Sequence, residues 1–194
     1  MKTSFLETIK ILDGSVFNIQ YHQKRYESVL SSFGLKDFAH LLTLIKAPPT
    51  GLYRCRLVYD LDANITISYF AYKKRNIKSL KIIYDDSIEY SKKYEDRQDI
   101  NKLFEKREQS DDILIVKDGY IADTSIANIA FFNGVAWLTP KKPLLKGTSR
   151  QRLLENEEII EADIKVQDLK SFSKVALLNA MIDFDIITNI NYKY

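Results

Sequence analysis

Asp111–Arg150 reads DDILIVKDGYIADTSIANIAFFNGVAWLTPKKPLLKGTSR, and its order of patterns decides the fold. An apolar run, ILIV, is followed by a turn and a short polar loop. A second strand, a hairpin and a third strand come next. A Gly-Thr-Ser turn then opens a helical run, RQRLLENEE. Two polar signals stand at a fixed distance inside it. One is Asp123-Thr-Ser-Ile-Ala-Asn128 between apolar strands. The other is Leu145-Lys-Gly-Thr-Ser-Arg150 at a helix start. Taken alone, the first is a common Asx or Ser/Thr turn, and Ser149 in the second is an ordinary N-cap. A helix start also suits an anion, because its N–H groups and dipole favour negative charge.

Working outward, FLETIKIL and residues 16–19 form a hairpin about the Asp13-Gly14 turn. From Tyr21 to Phe33 the spacing predicts a helix with Tyr21, Arg25, Val29 and Ser32 on one face, ended by Gly34. A second helix is expected over 36–45, before Pro48-Pro49. Strands follow at 53–59, 65–72 and 79–84, rich in β-branched and aromatic residues. This first part reads as an α+β lobe with one antiparallel sheet. Ile100, Leu103 and Phe104 predict an amphipathic helix within the charged segment 92–110. Strands at 113–116, 129–132 and 136–139, a helix over 149–156, and strands near 164–166 and 176–179 complete the chain. The fold class is α+β in two lobes, 1–88 and 89–194, the second a mixed β lobe, with the junction near residues 85–93.

Composition bounds the function. The 194 residues are 45% apolar, enough for a real core, and 28% charged with a net charge of +3. That mixed balance argues against a nucleic-acid partner. The single cysteine, Cys55 in YRCRLVY, excludes an internal disulfide and reads as a strand residue. Two histidines, His22 and His40, argue against a histidine-based metal site. No apolar run reaches membrane-spanning length, and MKTSFLETIK lacks the apolar core of a signal peptide. The expectation is a cytoplasmic enzyme or binding protein.

The ordered set of motifs resembles the fold-type IV (class IV) pyridoxal-phosphate aminotransferase family, nearest to its aminodeoxychorismate lyase branch. The resemblance implies pyridoxal 5'-phosphate as cofactor, a small-molecule amino substrate and a homodimer. It also implies four protein groups: a lysine to carry the cofactor, an acid against the pyridine nitrogen, an anion site and a wall for the ring. The lysine is sought in Ser91-Lys-Lys-Tyr-Glu-Asp-Arg97, ahead of the acid that opens ILIV. Lys93, in Lys-x-x-x-Arg, matches the lyase pattern, with Lys92 as the alternative register. Taken alone, that charge run would face water. If the segment is helical, Arg97 lies one turn on and lowers the lysine's pKa.

Asp123 takes the place of the family's usual glutamate, with Asn128 completing Glu-x-x-x-x-Asn. Arg25, in His22-Gln-Lys-Arg25, matches His-x-x-Arg, whose arginine contacts phosphate. Gly147, Thr148, Ser149 and Asn179 match the remaining phosphate contacts. His22 is expected to pack or hydrogen-bond, and Thr8, Glu7 and Arg97 to face substrate. One departure is marked: the family carries a further strand and glycine-rich turn before FLETIK. A more open site, a site covered by a partner, or lost catalysis are the readings of that difference. Lys93-x-x-x-Arg97 and Asn179 favour elimination of pyruvate to give 4-aminobenzoate. The alternatives are a branched-chain-type aminotransferase and a degenerate cofactor-binding homologue without turnover.

Overall fold

The computed structural model describes residues 3–194. The chain divides into two compact units. The described part of Met1–Lys74 with Lys92–Asp96 forms the first, and Arg75–Ser91 with Arg97–Tyr194 forms the second.

The first unit is built on β1 (Ser4–Leu12), β2 (Ser15–Val16), α1 (Ile19–Ser31), α2 (Leu41–Leu44), β3 (Leu52–Asp60) and β4 (Ile65–Ala71). They make an antiparallel sheet in the order β2-β1-β3-β4. Asp13 and Gly14 both take positive φ (45° and 78°), the backbone a two-residue hairpin turn requires. Along β1 the side chains alternate, so Phe5, Glu7, Ile9 and Ile11 all point inward and Thr8 lies on the other face. Phe5 joins Tyr26, Val29, Leu30, Leu41, Leu57 and Tyr59 in one core. Ile9 and Ile11 join Cys55 in another, where burial pushes the Cys55 thiol up to about 11.

Two details differ from the sequence expectations for this unit. The face that α1 buries is His22, Tyr26, Val29 and Leu30, one position away from the Tyr21–Arg25 stripe. The second helix shrinks to Leu41–Leu44, because α1 holds the preceding segment in an irregular form. Gln23 Nε2 donates to the Ala39 carbonyl at 2.9 Å, and the Leu41 N–H donates to Gln23 Oε1 at 2.8 Å.

Lys92–Asp96 adds a short rung to the open edge of β1. The Leu6 N–H donates to the Lys93 carbonyl at 2.8 Å and the Glu95 N–H to the Ser4 carbonyl at 3.0 Å. This segment is not helical, so the expected helical turn from Lys93 to Arg97 is absent.

The second unit runs β5 (Ser79–Tyr84), α3 (Gln98–Glu105), β6 (Asp112–Lys117), β7 (Tyr120–Thr124), β8 (Asn128–Phe132), β9 (Trp137–Pro140) and α4 (Thr148–Glu155). It continues through β10 (Ile160–Ala162), a 3₁₀ turn at Val166–Ser171, β11 (Lys174–Asn179), β12 (Asp183–Ile187) and β13 (Asn191–Lys193). One sheet has the order β13-β5-β6-β7 and the other β10-β9-β8-β11-β12. Leu80, Ile82, Leu114, Val116 and Ile121 from the first meet Ile129, Phe131, Val175 and Leu177 from the second in a shared core. Leu153 of α4 packs with Ala130, Ala176 and Leu178 on the opposite face of the second sheet.

Here too the structure departs from expectation. β5 pairs in parallel with β6, so it belongs to this unit and not to the antiparallel sheet of the first. The stretch read as turn and polar loop contains a strand, β7, and Asp123 lies within it. The short strand falls at Ile160–Ala162 and not at 164–166, where Ile164 is buried without pairing as a strand. β12 and β13 close the chain beyond the last expected strand.

Candidate active site

Glu7 is the buried charge of the first unit. Strand alternation sends it into the core, and α1 covers it with His22 and Arg25, three positions apart on one side of the helix. Arg25 donates twice, Nε to Oε1 at 2.8 Å and Nη2 to Oε2 at 2.5 Å. His22 Nδ1 lies 2.5 Å from Oε2. Burial by itself would raise the Glu7 carboxyl. The Arg25 charge and the hydrogen bonds from His22 and Arg25 outweigh it and hold the group at about 2. Burial likewise lowers His22, which opposes the pull of Glu7, so the imidazole is neutral at neutral pH. Donation from Nδ1 leaves Nε2 as the bare ring nitrogen, buried with no hydrogen-bond partner among the described residues.

Lys93 belongs to the same neighbourhood. Its charge acts on His22 and depresses it further. Lys92 turns elsewhere, placing Nζ 5.4 Å from the centre of the Phe33 ring. Glu7 therefore lies beneath His22 and Arg25 and does not face outward with Thr8. The alternation of apolar residues in SFLETIKIL carries the signal for this: Glu7 falls in phase with Phe5, Ile9 and Ile11.

In the second unit the centre is Asp123, near the end of β7 and buried. Asn128 Nδ2 donates to its Oδ1 at 2.7 Å, and the Leu145 N–H donates to its Oδ2 at 3.0 Å. Burial pushes the carboxyl up to about 7 despite these donors and the Arg150 charge. Asn128 Nδ2 also donates to the Leu145 carbonyl at 2.7 Å. Asp123 is thereby tied to the turn that leads through Gly147 into α4. Gly147 is the N-cap of α4, which has no side-chain cap, and Thr148 and Ser149 are buried in its first turn. Arg150 follows, buried, donating through Nη2 to the Pro140 carbonyl at 2.9 Å and to Glu161 Oε1 at 2.6 Å.

Thr124, Arg97 and Asn179 hold the turns around this loop. Thr124 Oγ1 accepts from the Ala127 N–H at 3.1 Å and donates to the Ala127 carbonyl at 3.0 Å, closing the turn between β7 and β8. Arg97 Nη2 donates to the Ser125 carbonyl at 2.5 Å, so the structure gives this guanidinium a loop-holding contact. Asn179 caps a turn of its own: Oδ1 accepts from the N–H groups of Met181 and Ile182, and Nδ2 reaches the Ile126 carbonyl at 3.3 Å.

Asp123 is a carboxyl buried at a cost that its donors do not offset, and a protonated ring nitrogen against it would supply the compensating positive charge. The α4 start, uncapped and close-packed at Gly147, suits an anion. These two features fit pyridoxal phosphate, and the Leu145 contacts make them one construction.

Comparison with known proteins follows the same line. The model of the Amino-transferase class IV family matches residues 96–190. An uncharacterized protein of Haemophilus influenzae (strain Rd) is 39% identical over 182 residues, covering 90% of this chain and 96% of that protein. The crystal structure of a candidate 4-amino-4-deoxychorismate lyase from Haemophilus somnus 129pt is 36% identical with a TM-score of 0.83. It covers 93% of this chain and 97% of its own. A hypothetical aminotransferase from Mycobacterium tuberculosis, solved in a PLP-bound form, has a TM-score of 0.78 at 14% identity. It covers 96% of this chain and 81% of its own, and that likeness bears on the fold alone.

Proposed function

The chain belongs to the amino-transferase class IV family of PLP-dependent enzymes, and from that membership we propose that it is a 4-amino-4-deoxychorismate lyase. In this reading it binds pyridoxal 5'-phosphate, acts on a small-molecule amino substrate, and works as a cytoplasmic homodimer. The single observation that carries it is the Asp123 construction: a buried carboxyl hydrogen-bonded to the same turn that opens α4.

Lys93 carries the cofactor. The action of its charge on the buried His22, and the turn of Lys92 toward Phe33, favour it over its neighbour. By the motif match, Asp123 would hold the ring nitrogen, and Arg25 and the Gly147–Ser149 backbone would each supply donors for the phosphate. When bound, pyridoxal phosphate supplies an electron sink for the bond broken at the substrate.

The remaining chemistry is done by the protein. Lys93 Nζ takes the proton from the carbon bearing the substrate amine, acting as general base in its neutral form. Glu7 fixes the Arg25 guanidinium by its Nε and Nη2 edge, so the cation is aimed before any anion arrives. The Asp123 carboxylate would hold a proton on a ring nitrogen set against it. Loss of pyruvate leaves a ring that aromatises to 4-aminobenzoate.

The test uses the purified chain with pyridoxal phosphate and aminodeoxychorismate. Pyruvate and 4-aminobenzoate are expected with no 2-oxo acid present, and Lys93→Ala abolishes both. Borohydride reduction is expected to fix the cofactor on the peptide containing Lys93. A visible band that bleaches with an ordinary amino acid and returns only with 2-oxoglutarate would instead establish an aminotransferase. Cofactor taken up on Lys93 with no turnover of either substrate would establish the degenerate homologue.

A further inference from the structure

Asn128, first residue of β8, reaches two other segments with one planar amide. Its two Nδ2 hydrogens are spent inside the protein, on Asp123 Oδ1 at 2.7 Å and on the Leu145 carbonyl at 2.7 Å. The Leu145 N–H returns to Asp123 Oδ2 at 3.0 Å, so the amide, the carboxyl and the backbone of Leu145 close a ring of three hydrogen bonds. An amide turned the other way would set its oxygen against two acceptors, so the orientation is determined.

Gly147 completes the arrangement. Its backbone, at φ −71° and ψ 150°, is one any residue adopts, so conformation does not demand glycine here. Space does: a Cβ at Gly147 would lie 2.1 Å from Asn128 Oδ1, far inside van der Waals contact.

We infer that Asn128 is a positioning residue that orients the Asp123 carboxyl and ties it to the turn opening α4, and that Gly147 is glycine to leave Asn128 its place. This rests on the proposed function for its meaning, since the oriented carboxyl is the one assigned to the ring nitrogen. In this reading Asn128 acts through Asp123, since both of its Nδ2 hydrogens are already donated within the protein. Other groups acting on Asp123 are the Arg150 guanidinium from α4 and the Leu144 N–H, neither of which touches Asn128 through an identified hydrogen bond.

The experiment is carried out without cofactor, on protein carrying ¹³C-carboxyl aspartate, with the Asp123 signal assigned through Asp123→Asn. Asn128→Ala removes a donor from the anion, and the Asp123 titration midpoint is expected to rise by about one pH unit, a tenfold change in proton affinity. Gly147→Ala puts no group on Asp123, yet it is expected to shift the midpoint the same way, by evicting the Asn128 amide. The double variant is expected to shift no further than Asn128→Ala alone. A wild-type midpoint in Asn128→Ala, or in Gly147→Ala while Asn128→Ala shifts, overturns the inference. Asn128→Ser takes the place of Asn128→Ala if the latter does not fold. Failure of the wild-type chain to take up pyridoxal phosphate would refute the proposed function. It leaves the carboxyl signal unaffected, so the two failures are read apart.

Discussion

Arg25 meets Glu7 edge-on, with Nε 2.8 Å from Oε1 and Nη2 2.5 Å from Oε2, inside a strand face that is otherwise apolar. A carboxylate at that depth is stable only while its partners remain, because each partner offsets the cost of leaving water.

Glu7→Ala is therefore expected to destabilise the cofactor-free protein by ~3–5 kcal/mol, since it strands the Arg25 charge and removes the acceptor of His22. Thr8→Ala, on the opposite face of the same strand, is expected to cost about 1 kcal/mol or less. Urea denaturation of the two variants compares them directly. Equal losses would show that Glu7 is no more than a filler of space.

The same cluster makes the first unit sensitive to acid. His22 has its pKa lowered by folding, so below its ordinary value of 6.5 the unfolded chain binds a proton that the folded chain refuses. Stability is then lost as pH falls below 6.5, by at most ~1.4 kcal/mol per pH unit for this group. Wild type is expected to lose more stability between pH 7.5 and pH 5 than His22→Leu does. Parallel pH profiles in the two proteins would remove His22 as the cause. Glu7 adds a second loss at lower pH, toward its folded value of about 2.

Asp123 works in the opposite sense. Its folded pKa, about 7, stands above its ordinary 3.8, so the unfolded chain ionises first as pH rises. The folded state is penalised progressively between those values, and the penalty is complete above pH 7. Asp123→Asn cannot ionise, but its NH2 meets a donor where a carboxyl oxygen accepted, a loss that is the same at every pH. Measured against wild type without cofactor, the variant is expected to gain a few kcal/mol of relative stability between pH 4 and pH 8. The scale is ~1.4 kcal/mol for each pH unit that separates the folded and unfolded titrations. Thermal unfolding at the two pH values measures the gain, and an unchanged difference would mean that Asp123 does not titrate above its ordinary range.

Much of this protein was legible in its sequence, because the signals were local. Asp13-Gly14 makes a two-residue turn by backbone preference alone, and α3 follows from the spacing of Ile100 and Leu103. Gly147-Thr148-Ser149 at the head of a polar helix marks an anion-suited start whatever lies around it. The motif order from His22-x-x-Arg25 through Lys93, Asp123 and Gly147 carried the resemblance to the family, since each motif is a short local run.

Partnership was decided only in three dimensions. Nothing local distinguishes β5 from the strands before it, yet its hydrogen bonds go to β6, and pairing between distant strands is set by the packing of the core. The union of Glu7 with Arg25 needs a strand face and a helix face to meet, and the alternation of β1 hints at only half of that contact. The closure of Asp123, Asn128 and Leu145 joins three segments through one amide, and the place of Gly147 follows from that amide alone. Residue type and spacing determined the local elements and the resemblance to the family. The tertiary structure decided which of them hold one another, because a hydrogen bond between remote segments depends on where the folded core puts them.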